Sequence, residues 1–425
     1  MRPRPLSYQL HRYQLANGLR LVVNPDPWTP AVAVNLWYDV GSAHEADGRT
    51  GFAHLFEHLM FSGSAQVASG EHLSGLQALG GEANATTSFD RTNYFETVPV
   101  SVLPLALWLE ADRLESLLDA VDQTALDTQR EVVKEEKRQR YDNVPYGDAF
   151  THLVELAFGP AHPYGHMPIG SMADLDQASL TDIHDFFRAH YRPNNLVLSL
   201  AGAIGFEEAV ELVETYFGQL PAQPAEPRLS LSPLPPLRDR PRRDLTAAVP
   251  LDAVYCCWRI PPLGLPAHDA VGLGLSVLAD GLTARLHRDL VRTDLADASG
   301  AFDLDLSRGN SLVVAYATAR SGVDPARLEA SLLQTWAQFV ADGPRPDELE
   351  RAVARTTRDW LTGLASLDSR ADALSETSWV YGSPDRVNIW LTEIASITEG
   401  QIWAACRDWL APPQSGVLTY RRTVA

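Results

Sequence analysis

The sequence predicts an α+β protein built from two similar domains, each a mainly antiparallel sheet packed with helices. Strand-like and helix-like segments follow one another in the same order in both halves, although residue identity between the halves is low. A proline-dense stretch with no helical period divides the chain near its middle. The 425 residues are enough for more than one buried core. The expected units are residues 1–219 and 246–425, joined by an extended linker over 220–245.

In order, Tyr8 to Leu15 and Leu19 to Val23 flank Asn17-Gly18, a strong hairpin turn signal. Ala31 to Val40 is rich in β-branched and aromatic residues and reads as a central strand. A polar loop, Gly41 to Thr50, leads into an apolar helix. Further helices are predicted at Gly70 to Leu79, Leu103 to Leu118 and Thr124 to Tyr141. Asn195 to Ala201 reads as a buried strand and Phe206 to Phe217 as a helix. In the second half, strands are predicted at Ala247 to Ile260, Ala298 to Leu306 and Ser311 to Ala319. Helices are predicted at Ala267 to Leu278, Ala326 to Val340 and Asp347 to Ser366. Asp324-Pro325 is a helix-start signal.

The formal net charge of −19 argues against nucleic acid or an anionic membrane as partner. The early arginines are followed by no apolar signal-peptide core, and no apolar run is long enough to span a bilayer. Cys256, Cys257 and Cys406 make an odd count, two of them adjacent, which fits small buried residues in a reducing compartment. A cytoplasmic location is expected.

The informative stretch is GFAHLFEHLMF, Gly51 to Phe61. On a helix, Phe52, Leu55, Phe56 and Leu59 form one apolar face. His54, Glu57, His58 and Phe61 form the other. Imidazoles one turn apart can both reach one zinc ion at ~2.0–2.1 Å. Glu57 would stand beside the metal without binding it, and could take a proton from water that the metal activates. H-x-x-E-H is a zinc-peptidase pattern. A solvated polar face that happens to carry two histidines is the alternative.

A third protein ligand is needed. The run Gln129-Arg130-Glu131-Val132-Val133-Lys134-Glu135-Glu136 offers three glutamates. Glu131 and Glu135 share a face with Arg138, which reads as solvated. Glu136 follows Val132 and Val133 by four and three positions, so it is expected on their inward side. Glu135 is the alternative.

With these residues in place the chain resembles the short-chain branch of the pitrilysin, or M16, family of zinc metallopeptidases. Glu136 follows His58 by 78 residues, from position 58 to position 136, within the spacing of that family. GFAHLFEHLMFSG, LGGEANATTSFDRTNYFETVP, QREVVKEEKRQRYDNVPYG, HPYGHMPIGS and HYRPNNLVLSLAG also match, densely over residues 15 to 205 and weakly afterwards. The resemblance implies Zn2+ held by His54, His58 and Glu136, with Glu57 as general base. Residues 1–219 would be the catalytic domain and 246–425 a related domain without a metal motif. Gln129 occupies the position where the family often has a glutamate that tunes the site.

The resemblance also implies that Asn84, Ala85 and Thr86 belong to an edge strand that pairs with an extended peptide substrate. Asn84 would bind a substrate carbonyl. His72, His152, His162 and Tyr164 are read as structural. In the second half Arg292 can stand for the family's oxyanion-binding arginine, whereas Asp297 stands where a tyrosine is expected. The expectation is therefore a heterodimer with a related subunit that carries the Arg/Tyr pair, a homodimer being the alternative. The activity implied is endopeptidase cleavage of peptides or unfolded segments, with processing of a precursor or leader peptide as one outlet. A non-catalytic structural subunit of a larger complex is the competing function.

Overall fold

The computed structural model describes residues 4–224 and 227–423. The first half runs β1 (His11–Gln14), β2 (Arg20–Pro25), β3 (Ala31–Tyr38), α1 (Phe52–Leu59), α2 (Glu71–Ala78), β4 (Glu82–Thr87), β5 (Thr92–Pro99), α3 (Leu103–Ala120), α4 (Gln123–Lys137), α5 (Ala149–Phe158), α6 (Met172–Gln177), α7 (Leu180–His190), β6 (Leu196–Gly202) and α8 (Phe206–Phe217). The second runs β7 (Arg242–Ala247), β8 (Ala253–Ile260), α9 (Pro266–Ala279), β9 (Ala296–Asp303), β10 (Ser311–Ala319), α10 (Pro325–Asp342), α11 (Pro346–Gly363), α12 (Leu367–Val380), α13 (Arg386–Ile394), α14 (Glu399–Trp409) and β11 (Gly416–Arg422).

The first sheet has the order β1-β2-β6-β3-β5-β4 and the second β7-β11-β8-β10-β9. Apart from β1 the two orders correspond strand for strand. Each sheet has one parallel pair at the same place, β2 with β6 and β7 with β11. The remaining pairs are antiparallel. The fold is thus α+β and duplicated, as the shared order of elements predicts. Each half has its own core between sheet and helices: Leu36, Phe56 and Leu107 belong to one, Trp258, Val313 and Trp336 to the other.

One sequence expectation needs correction. The linker ends early, because Arg242–Ala247 forms edge strand β7 beside β11. Its alternation of exposed and half-buried residues was masked by the neighbouring prolines. The halves are also not separate compact units. Helix α12, from the second half, packs Ala371 and Leu374 against Ala33, Val197 and Ala201 of the first sheet. Reciprocally, α5 packs Leu153, Val154 and Ala157 against Cys257, Val314 and Leu418 of the second. Each sheet is therefore sandwiched between helices of its own half and one helix of the other. An apolar helix face records that it will be buried but not against what, so sequence cannot show this exchange.

Cys256, Cys257 and Cys406 are free and buried. Among the described residues, no helix is long and apolar enough to cross a membrane.

Candidate metal centre

Helix α1 buries Phe52, Leu55, Phe56 and Leu59, the face predicted from their spacing. Its start is built from distant residues. Gly51, at φ 95°, precedes the first turn. The buried carboxylate of Glu45 accepts from the N–H groups of Gly51 and Ala53 at 2.9 and 2.8 Å. His166 Nε2 lies 2.8 Å from the same carboxylate. A negative group at this end satisfies orphan donors and matches the helix dipole. Gly170 packs on Gly51 so closely that a Cβ on Gly170 would lie 2.4 Å from the Gly51 backbone. The segment HPYGHMPIGS is thus a clamp on the start of α1. Sequence reasoning did not identify Glu45 or His166, because their contacts with α1 are made only by folding.

The polar face of α1 meets α4. His54 Nε2 and His58 Nε2 lie 3.6 and 3.3 Å from the same Oε2 of Glu136. Two ligands held tetrahedrally at ~2.0–2.1 Å from one ion would be about 3.4 Å apart. The three side chains therefore fit a single zinc ion. Burial first, and then the neighbouring His58, push the His54 pKa down to about 4 against the opposing effect of Glu136. Its ring is neutral at pH 7, as a metal ligand must be. Arg140 holds the other oxygen of Glu136 at 2.7 Å, which orients the carboxylate.

The two valines expected to share the inward side of α4 with Glu136 differ in burial. Val133 is buried but Val132 is 45% exposed. One residue along a helix is a rotation of about 100°, so the two valines cannot share a side. The inward stripe of α4 is Leu126, Gln129, Val133 and Glu136. Glu135 is 54% exposed and paired with Arg138 at 3.1 Å, and Glu131 pairs with Lys134 at 2.9 Å. Gln129 is half-buried two turns before Glu136 and makes no hydrogen bond to the cluster among the described residues.

Glu57 points to β4. Thr87 Oγ1 donates to Glu57 Oε2 at 2.5 Å. Burial raises the Glu57 pKa, and the Thr87 hydrogen bond and His58 oppose the rise. β4 is the outer strand of the first sheet, with β5 on one side only. Asn84 and Thr86 are exposed while Ala85 is buried. Asn84 Oδ1 accepts from Ala85 N–H at 2.8 Å. Thr86 is tied to Asn93 at 2.6 Å.

Arg292 is not brought to this centre. It is exposed at the end of a short turn, and none of its contacts within the chain reaches His54, Glu57, His58 or Glu136. Asp297 lies on β9, the outer strand of the other sheet. His72 is buried against Glu110 and Glu96 at 3.4 and 3.9 Å; Arg113 already binds both oxygens of Glu110. His152 lies beside Asp148 at 3.2 Å and against Arg243. His162 stacks on Phe158, its Nδ1 accepting from Tyr164 N–H at 3.0 Å. Tyr164 donates to Asp90 at 2.6 Å, and Asp90 accepts from Ser307 N–H, also at 2.6 Å, linking the halves.

Residues 20–160 match the family model described as Insulinase (Peptidase family M16), and residues 177–356 the model described as Peptidase M16 inactive domain. The zinc protease PqqE of Helicobacter pylori is 30% identical over 362 residues, covering 83% of this chain and 79% of that one. The chain belongs to peptidase family M16. A Schizosaccharomyces pombe protein named "Probable mitochondrial-processing peptidase subunit beta" is 26% identical over 405 residues, covering 91% of this M16 chain and 86% of its own length. The crystal structure of a protease from Helicobacter pylori shares the fold, with a TM-score of 0.90 over 97% of this chain and 99% of that one at 24% identity. Relatives of this M16 chain are named zinc proteases, so metallopeptidase chemistry attaches to it at the level of the family.

Proposed function

We propose that the chain is a zinc-dependent endopeptidase acting on peptides or unfolded segments, with His54, His58 and Glu136 as zinc ligands and Glu57 as general base. The observation that carries this is the convergence of His54 Nε2 and His58 Nε2 on one oxygen of Glu136, beside the carboxylate of Glu57 and the free edge of β4. When bound, zinc supplies Lewis acidity toward the scissile carbonyl and makes water acidic near neutral pH.

The chain's own residues do the rest. An extended peptide pairs with the open main-chain groups of β4, which bind without reading sequence. Ala85 adds no bulk at that edge, and Asn84 donates its amide to a substrate carbonyl. Glu57 takes a proton from the attacking water and returns it to the leaving amine. Thr87 holds the Glu57 carboxylate in one orientation. Gln129, on the same stripe of α4 as Glu136, adds no charge to the site.

The working assembly is a heterodimer with a related subunit that brings an arginine and a tyrosine to the developing oxyanion, since Arg292 does not reach the site in its own chain and a second copy would bring Asp297 in place of the tyrosine. Processing of a precursor or leader peptide in the cytoplasm is the role this assembly suits. The test is hydrolysis of an unfolded peptide by metal-loaded protein, with the Glu57→Gln variant as control. Turnover that survives chelation, or that Glu57→Gln leaves intact, removes this reading.

A further inference from the structure

The correspondence of the two sheets continues into the helices around them. In the first half, the helix after the central strand (α1), the outer strand (β4) and α4 enclose the zinc ligands. Their counterparts are α9, β9 and α11. Between these and the helices α12 and α13 lies a cavity of about 300 Å³, bordered by His268, Asp303, Asp305, Thr356, Trp360 and Glu376. His54 is the third residue of α1, and His268 is the third residue of α9. Thr87 ends β4, and Asp303 ends β9.

We propose that His268, Asp303 and Asp305 form a second divalent-cation site in the second half, at the position that corresponds to the first. His268 is 5% exposed, and its Nε2 has no hydrogen-bond partner among the described residues. That nitrogen faces Asp305 Oδ1 at 3.5 Å and Asp303 Oδ1 at 3.8 Å. These separations are too long for ordinary hydrogen bonds of 2.7–3.2 Å. They are slightly wider than the ~3.4 Å between ligands of tetrahedral zinc. Asp303 Oδ1 also accepts the backbone N–H of Asp305 at 3.1 Å, which holds the Asp303 carboxylate against the backbone of Asp305.

The surrounding charges leave this cluster uncompensated. Arg386, which also borders the cavity, is committed to Asp269 at 2.9 Å and Glu393 at 2.6 Å. Asp269 in turn accepts from Trp390 Nε1 at 3.2 Å. Glu376 also borders the cavity. One imidazole with two carboxylates is an oxygen-rich set, suited to Mn2+ or Zn2+.

The full-length chain, stripped by chelator and dialysed, is titrated separately with Zn2+ and with Mn2+, and bound metal is measured by equilibrium dialysis and elemental analysis. The wild-type chain is expected to bind two equivalents of one of these ions. Glu136→Gln should keep one, and Glu136→Gln combined with Asp305→Asn should keep none. The Asp305 side chain is 63% exposed, so its replacement spares the fold; His268→Gln in the Glu136→Gln background gives a second measurement of the same loss. A Glu136→Gln protein that binds neither ion while retaining its circular dichroism spectrum overturns the proposal. So does an equivalent that persists when both Asp305 and His268 are replaced. The outcome is independent of peptidase activity.

Discussion

Thr87, the last residue of the outer strand, donates its hydroxyl hydrogen to the carboxylate of Glu57 on the facing helix at 2.5 Å. The group proposed as base and the strand proposed to bind substrate are therefore mechanically one unit. Thr87→Val keeps the shape and removes the donor. Because the hydrogen bond favours the charged carboxylate, its loss raises the Glu57 pKa further. A base must be deprotonated to act, so the acid limb of the pH–rate profile should move to higher pH. Turnover at neutral pH should fall about tenfold with bound zinc unchanged, a modest part of the ~10²–10⁴-fold effect of a general base. An unmoved acid limb would show that Thr87 does not tune Glu57.

Glu57→Gln should lose at least ~10²-fold in peptide turnover while retaining zinc. Glu57 is held by Thr87 rather than pointing with the two imidazoles at Glu136. Metal analysis and turnover on the same preparation check this. Loss of the metal would mean that Glu57 is a ligand.

Glu136→Gln should weaken zinc binding far more than Glu135→Gln. The Glu136 side chain is 18% exposed and shared by both histidines, whereas Glu135 is 54% exposed beside Arg138. Competitive zinc titration of the two variants decides it, and equal losses would sink the assignment.

The isolated chain should be slow and should gain at least tenfold on addition of a related subunit. Among the described residues of its second half, Arg292 does not reach the centre and Asp297 stands in place of a tyrosine, and one oxyanion donor is commonly worth ~10²–10³ in rate. Mass in solution and peptidase rate, measured before and after mixing, test the idea. Full activity alone, indifferent to any partner, would exclude a heterodimer.

Stability should fall below pH 6.5. His44 and His190 are stacked edge to face at 5.5 Å. Burial lowers their pKa values to about 3 and about 4 from the ordinary 6.5. The unfolded chain therefore takes up protons that the folded one refuses. The stabilisation is complete above pH 6.5 and is lost progressively toward pH 4, at up to about 1.4 kcal/mol per pH unit for each histidine. Urea unfolding at pH 7 and pH 5 should show a smaller drop in His190→Gln than in the parent. Equal drops would show that the pair does not govern acid sensitivity.

The sequence made some of this legible and hid the rest for definite reasons. Helix α1 could be read because its apolar residues recur with the helical period and its two histidines sit one turn apart. Glu136 lies beside those histidines, although Val132 is exposed rather than on the inward face. Glu45, His166 and Thr87 were not singled out for their contacts with α1. Each acts across a fold-dependent contact, and a glutamate, a histidine or a threonine in a loop or strand announces no partner. Strand β7 was lost beside prolines whose breaking effect is stronger than a six-residue alternation.

The crossing of α5 and α12 has a consequence for how a peptide gains entry. A chain joined only by its linker could gape like a hinge, with the two sheets swinging apart. Here each half has a helix built into the far layer of the other, and opening at the linker would strip both sheets of one apolar face. The single chain is thus tied together as one jaw. In the proposed heterodimer a gate wide enough for a peptide would lie between two such jaws, and rates of entry should then respond to changes at the contact between subunits more than to changes in the length of residues 220–241.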